Sequence, residues 1–369
     1  PADLSSAAQW AEHPLRYLHG IGALPANDMN EVEPHHPLSR EEAAQLAVNV
    51  LEFVPLAACA KLEGMKIAAS SIGLPTNGAT VTSAALVRAV DEGNHNGEFC
   101  QVQGAIHPVN EAAPDIRFSV NLPSEWNHKA LHMGGGGWNG TVVTGLTGYT
   151  NQLIDTPTPL AQGYVTFGSD SGHEGGNASF AVNEEALRNF AYEQLKKTRD
   201  VAMELIQARY GVLPKYTYFA GGSEGGREGL MVIQHWPEDY DGVIAFYPVT
   251  NFTGLQLSGT LFGQAFYAND GAGWLNPQEI QLVYDTVYEA CDPLDGVEDG
   301  IIGNIHACNE TFTVDALKDA LRCPDGQDAG DHCLSDEQIE SVAVMNSPTQ
   351  FNVQLNHGID FFPRQAVMD

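Results

Sequence analysis

Residues 217–229 read TYFAGGSEGGREG, a strand-like run that breaks into glycines around a single serine, Ser223. The stretch before it, KYTYFA (215–220), has strand length and strand-favouring aromatics, and the stretch after it, through GLMVIQHW (229–236), has helical character. Gly221-Gly222-Ser223-Glu224-Gly225 fits G-x-S-x-G in the strand–turn–helix context that a nucleophile elbow requires. Side chains two positions either side of the serine would collide with the neighbouring strand and helix. Small flanks leave Oγ exposed at a helix N-terminus, where free N–H groups favour developing negative charge. An ordinary glycine-rich connection is the competing reading of the motif alone.

Outward from this turn, strand and helix signals alternate. FCQVQGAIH (99–107), IRFSVNL (116–122), KALHMGG (129–135) and GYVTFGSD (163–170) read as strands, and YDGVIAFYPV (240–249) as another after the elbow helix. Residues 184–210 place Leu187, Phe190, Ala191, Leu195, Ala202, Leu205 and Ile206 at three- and four-residue steps, which predicts a long amphipathic helix stopped by Gly211 and Pro214. Such alternation predicts an α/β fold with a mainly parallel sheet covered by helices. Beyond about residue 250 the pattern turns to helical and loop segments rich in Asp, Gly and Cys, with no further apolar strand expected. The first fifty residues carry scattered Pro and His and a helical stretch, EEAAQLAVNVLEF (41–53), and read as a packing arm.

The composition narrows the partners. Forty-seven acidic against 17 basic side chains give a formal charge of −30, which repels nucleic acid and anionic membrane surfaces. No run of about 18 apolar residues exists to span a bilayer, and a chain starting at Pro1 reads as a processed, soluble product. Six cysteines, none in C-x-x-C spacing, suit three disulfides in a secreted, extracellular or periplasmic protein, with buried thiols as the alternative. Four N-x-S/T triplets, at Asn139, Asn177, Asn251 and Asn309, would permit glycosylation.

Three further stretches carry chemistry. HMGGGGWNG (132–140) follows a strand with four glycines; in an elbow fold one oxyanion N–H comes from such a loop and one from the residue after the serine, here Gly134 and Glu224. SDSGHEGG (169–176) offers His173, but a base that follows the order serine, acid, histidine must come after the serine, so His173 reads as structural. Asp292, Asp295 and Asp299 with Gly296 and Gly300 concentrate hard oxygen ligands of the kind that suit Ca²⁺, although the spacing is not an EF-hand and a solvated acidic turn would look the same.

Together GGSEGGREGLM, the glycine loop before Trp138, DSGHEG and CDPLDGVEDGI with its bracketing cysteines resemble the tannase and feruloyl esterase family of α/β-hydrolases, with a likeness within it to hydrolases of terephthalate monoesters. The resemblance runs over roughly residues 50–345. It implies Ser223 as nucleophile, the N–H groups of Gly134 and Glu224 as oxyanion hole, and structural Ca²⁺ on the carboxylates of Asp292, Asp295 and Asp299 and the carbonyls of Val297 and Ile301. It implies the pairs Cys59–Cys100, Cys291–Cys308 and Cys323–Cys333, and a hydrolase domain over 51–333 with its calcium segment at 291–308, followed from 334 to 369 by the start of a lid that selects a small aromatic ester. The implied activity is a serine carboxylester hydrolase acting on feruloyl, galloyl or terephthaloyl esters; the alternative is a calcium-stabilised binding subunit without a complete triad.

Two departures from the family pattern stand out. The family carries a cysteine before the serine where this chain has Gly222, and it carries its acid and histidine after later strands that these residues do not supply. After Ser223 come His235, His306, His332 and His357, none of them well placed as base, so the acid and histidine are expected in a further C-terminal segment or on a second chain.

Overall fold

The computed structural model describes residues 58–368 and the isolated positions Leu15, Ala43 and Leu46. The expected arm over 1–50 and the helical stretch at 41–53 otherwise lie outside the described residues. The chain divides into two compact units between Val249 and Thr250.

The first unit is built on an eight-stranded sheet: β1 (Lys66–Ile67), β2 (Ala79–Val87), β3 (Phe99–Ile106), β4 (Ile116–Pro123), β5 (Lys129–Met133), β6 (Val165–Ser169), β7 (Tyr216–Gly222) and β8 (Gly242–Phe246), in the order β1-β2-β3-β4-β6-β5-β7-β8. The strands β6, β5, β7 and β8 are parallel, as the strand and helix alternation from 163 to 249 requires. From β1 to β4, and from β4 to β6, the pairing is antiparallel. Short connections without a helix join β2, β3 and β4, and such connections only allow a chain to double back.

Helices α1 (Glu184–Arg188), α2 (Gln194–Tyr210) and α3 (Glu224–His235) follow, α2 ending at Gly211 in the left-handed conformation, φ 77°. Val201, Ala202, Leu205 and Ile206 of α2 join Val102, Val120 and Phe167 in one core. Leu195 of α2 meets Phe219 of β7 and Val232 of α3 in a second. Alternate residues Leu131, Met133 and Ala220 point to the opposite face, where Val143 and Tyr149 of the 134–164 connection pack on them together with Tyr164 and Tyr218. The period-two alternation of β5 and β7 thus feeds two different cores.

The second unit contains α4 (Phe252–Gly271), α5 (Pro277–Cys291), α6 (Ile305–Thr311), α7 (Val314–Leu321) and α8 (Asp336–Met345). Two-residue strands β9 (Thr349–Gln350) and β10 (Phe361–Phe362) pair antiparallel. Capping boxes start α5 (Asn276 with Glu279) and α8 (Ser335 with Gln338). Leu334, Ile339 and Val342 share one core with Val283, Val287, Leu317 and Leu321, so by compactness the segment from 334 is continuous with the helices before it. The three disulfides are Cys59–Cys100, Cys291–Cys308 and Cys323–Cys333, the pairs the resemblance implies.

Candidate active site

Ser223 stands between β7 and α3 at φ 58°, ψ −117°, outside the regions a side chain ordinarily allows. Its N–H donates to the Phe246 carbonyl at 3.1 Å, and its carbonyl accepts from Arg227 N–H at 3.1 Å and Val249 N–H at 3.3 Å. Backbone on both sides therefore over-determines the strained conformation, which is the condition for such strain to persist. The glycines are there for close approach. A Cβ on Gly221 would lie 2.5 Å from the Gly225 carbonyl oxygen, and one on Gly225 would lie 2.6 Å from that of Gly135. A Cβ on Gly222, where the family pattern has cysteine, would lie 2.6 Å from Thr150 Cγ2, so Thr150 fills that space here.

Glu224, buried at the first turn of α3, is held by Arg227, whose Nε lies 2.8 Å from both carboxylate oxygens. Arg227 donates onward to the carbonyls of Ala191 at 2.6 Å and Phe190 at 3.0 Å. Those two carbonyls belong to one turn of π-helix, Asn189–Glu193, which α1 and α2 flank. Widened turns of this kind recur at functional sites. Burial raises the Glu224 carboxyl above its ordinary range against the opposing pull of Arg227.

The glycine loop runs from β5 toward the elbow. The Gly134 N–H continues the parallel ladder onto the Ala220 carbonyl at 2.9 Å. The expected oxyanion donor is therefore already engaged, because the hydrogen-bond ladder onto β7 runs one residue past Met133, the last residue of β5. Gly135 N–H donates to Glu228 Oε2 at 2.9 Å. Gly136 and Gly137, both exposed, are the first loop positions whose N–H groups make no hydrogen bond among the described residues. The loop closes with Asn139 N–H on the Gly136 carbonyl, and the Asn139 amide donates to Ser171 Oγ at 2.7 Å and Glu228 Oε1 at 2.9 Å. An asparagine read as a glycosylation acceptor is thus committed inside the protein.

His173 Nε2 donates to the Trp138 carbonyl at 2.7 Å, and its ring stacks on Phe180 with centroids 3.8 Å apart. Burial lowers its pKa. It anchors the glycine loop, in keeping with a structural histidine. His132 is buried, its ring stacked on Phe167, with Nδ1 2.9 Å from the Tyr240 hydroxyl; burial, and next the charge of Arg199, push its pKa down to about 3. His235, at the end of α3, stacks on Tyr192. Among the described residues of the first unit no histidine hydrogen-bonds Ser223 Oγ.

Sequence reasoning missed Glu228, Gln194 and Arg227. The signal was present: Glu224, Glu228 and Val232 lie at four-residue steps on the buried face of α3, which puts two carboxyls on the face that packs inward.

In the second unit, Asp292 and Asp295 lie in a short 3-10 turn (Asp292–Asp295) directly after α5. Asp292 accepts from Asp299 and Gly300 N–H, Asp295 from Val297 and Gly303 N–H, and Asp299 from Ile301 N–H, at 2.9–3.3 Å. Among the described residues no three His, Cys, Asp or Glu side chains stand close enough to hold a metal ion. The donor chemistry, three carboxylates in a loop closed by Cys291–Cys308, does suit a hard cation, since each oxygen keeps a second lone pair.

A model of the family described as tannase and feruloyl esterase matches residues 100–368. The chain is 44% identical over 310 residues to an uncharacterized esterase of Agrobacterium fabrum, covering 83% of this chain and 56% of that one. It is 28% identical over 322 residues to the mono(2-hydroxyethyl) terephthalate hydrolase of Piscinibacter sakaiensis (78% and 52% covered). It is 30% identical over 283 residues to a probable feruloyl esterase B-2 of Aspergillus flavus (76% and 49%). The chain spans about half the length of these curated relatives. Among solved structures, feruloyl esterase B from Aspergillus oryzae is similar with a TM-score of 0.63 at 25% identity, over 84% of this chain and 59% of that one. Tannin acyl hydrolase from Aspergillus niger shares the fold, with a TM-score of 0.54 at 20% identity, over 76% and 52%.

Proposed function

The chain belongs to the tannase and feruloyl esterase family, and from that premise we propose that it is the nucleophile-bearing part of a secreted serine esterase that cleaves esters of aromatic acids. The observation that carries this reading is the backbone of Ser223, held in a disallowed conformation between a parallel strand and a helix N-terminus. Ser223 Oγ attacks the ester carbonyl, the alcohol leaves, and water hydrolyses the acyl-enzyme. The negative oxygen of each tetrahedral intermediate is received by the Glu224 N–H and by N–H groups of the glycine loop beyond Gly134. The acid and histidine come from polypeptide outside residues 1–369 or from a second chain; support lies in the chain's half-length match to its relatives and in the commitments of His132 and His173 elsewhere. The segment from 334, which shares a core with the helices before it, would begin the lid that selects the aromatic acyl group. Three disulfides favour an oxidising, extracellular or periplasmic setting, and among the described residues no helix is long and apolar enough to cross a membrane. Asp292, Asp295 and Asp299, with the carbonyls of Val297 and Ile301, would hold Ca²⁺ as a cross-link of their loop, without part in the chemistry.

The test compares the full-length protein, its Ser223→Ala variant and residues 1–369 alone on methyl ferulate, methyl gallate, mono(2-hydroxyethyl) terephthalate and a long-chain fatty ester. Aromatic esters should be preferred, and Ser223→Ala should leave only about 10³ to 10⁴-fold catalysis over water. The isolated chain should be similarly poor. Dominant turnover of the fatty ester would refute the substrate class, and full turnover by residues 1–369 would place the base inside them.

A further inference from the structure

Glu228 stands one turn beyond Glu224 on α3, 1% exposed, and three donors converge on it. Gly135 N–H, Asn139 Nδ2 and Gln194 Nε2 each lie 2.9 Å from one of its oxygens. Two of these donors come from the glycine loop and the third from α2, so one carboxyl group joins the nucleophile helix, the loop and the neighbouring helix. The fit is close: a Cβ on Gly134 would lie 2.9 Å from Glu228 Oε2.

Every partner donates and none accepts. An ionised carboxylate is an acceptor only and satisfies all three; a protonated one carries an O–H that must displace a donor, or turn the Asn139 amide over to reach its unpartnered Oδ1 and so give up the amide's bonds to Ser171 and Glu228. We propose that Glu228 is a positioning residue for the reaction at Ser223: ionised, it ties the glycine loop to the helix that carries the nucleophile, and protonated, it releases the loop. The proposal rests on Ser223 being the nucleophile.

The surrounding charges set where the change occurs. Burial, then the charge of Glu224, push the Glu228 carboxyl up to about 7, against the Gly135 N–H, Arg227 and the Asn139 amide. Glu224 and Arg227 face it from its own helix, the loop and α2 present the neutral amides of Asn139 and Gln194, and Tyr240, within reach of its charge, is kept a neutral phenol by burial. The release therefore falls in the neutral range.

The experiment is hydrogen exchange of the 134–140 segment in the full-length protein from pH 5.5 to 8.5, corrected for the intrinsic pH dependence, with kcat and KM measured alongside. In the wild type, loop protection should fall at least roughly tenfold as pH drops through about 7, while β3 and β4 keep theirs. Glu228→Gln should show low loop protection at every pH, and kcat should fall about 10²-fold, the scale of one lost oxyanion donor, with KM nearly unchanged. Should Glu228→Gln not fold, the wild-type series and Asn139→Ala, which loosens the loop from its own side, decide instead. Loop protection independent of pH, or lost equally from β3 and β4, overturns the proposal. Unchanged turnover in Ser223→Ala would overturn the nucleophile reading, and the exchange arm would still decide whether Glu228 holds the loop.

Discussion

Ser223 adopts a backbone that glycine accepts without cost and serine does not. Strain of this kind amounts to about 1–3 kcal/mol, partly offset on changing to glycine by the greater entropy of the unfolded chain. Ser223→Gly should therefore raise the stability by roughly 0.5–2 kcal/mol while removing esterase activity from the full-length protein. Denaturant midpoints of wild type, Ser223→Gly and Ser223→Ala decide it; a glycine variant no more stable than the alanine variant would mean that the turn stores no strain. The G-x-S-x-G spacing made this residue legible. The engaged Gly134 N–H was not, because the residue at which a strand's ladder ends depends on its partner strand.

The element that organises the site is α3, whose small residues let it touch the loop after β5. Gly225→Ala would set a methyl group 2.6 Å from the Gly135 carbonyl oxygen and 3.1 Å from the Gly134 carbonyl carbon. Both obstacles are backbone and cannot swing aside, so overpacking of about 1–3 kcal/mol is expected, together with a lower kcat as the loop is pushed from the elbow. Unfolding and turnover measured on the same variant check this; no change in either would separate the loop from the catalytic site. The α2 and α3 helices were readable from periodicity, whereas the turn of π-helix at Asn189–Glu193 was not. Its carbonyls find their donor in Arg227, 36 residues later at Ala191, and helical periodicity carries no record of such a partner.

For the whole molecule, pH and metal are the available levers. His132 is buried neutral with its pKa near 3, below the ordinary 6.5. The unfolded state then binds more protons between about pH 3 and 6.5, so this histidine's stabilisation is present above about 6.5 and lost as pH falls through the folded value, on the order of 5 kcal/mol at the acid end. Glu228 acts in the opposite sense: with its pKa raised from 4.5 to about 7, its contribution is present below about 4.5 and lost as pH rises through 7. Since both His132→Gln and wild type keep Glu228, the gap between their midpoints should shrink from pH 6.5 to pH 4, and a gap independent of pH would remove His132 from the acid limb. Chelation tests the other lever. If the 292–301 loop holds Ca²⁺, a chelator should lower the midpoint by several degrees, because saturation at about 100 times Kd is worth about 2.7 kcal/mol; an unchanged midpoint with no bound metal by elemental analysis would dispose of the ion.

Sequence alone determined the elements whose cause is local or patterned: the strand, turn and helix around Ser223, the amphipathic 184–210 helix, the change of pattern near residue 250 and, through resemblance, the three cysteine pairs. The tertiary structure decided what depends on partners distant along the chain. It gave the antiparallel half of the sheet, where β4 skips β5 to pair with β6, and it placed Thr150 in the space beside Gly222. It also brought Asn139, Gln194 and Glu228 together across 89 and 34 residues of chain. The physical reason is that periodicity records which face of an element is buried, whereas the hydrogen-bond partner of a buried polar group is fixed only when separate elements pack.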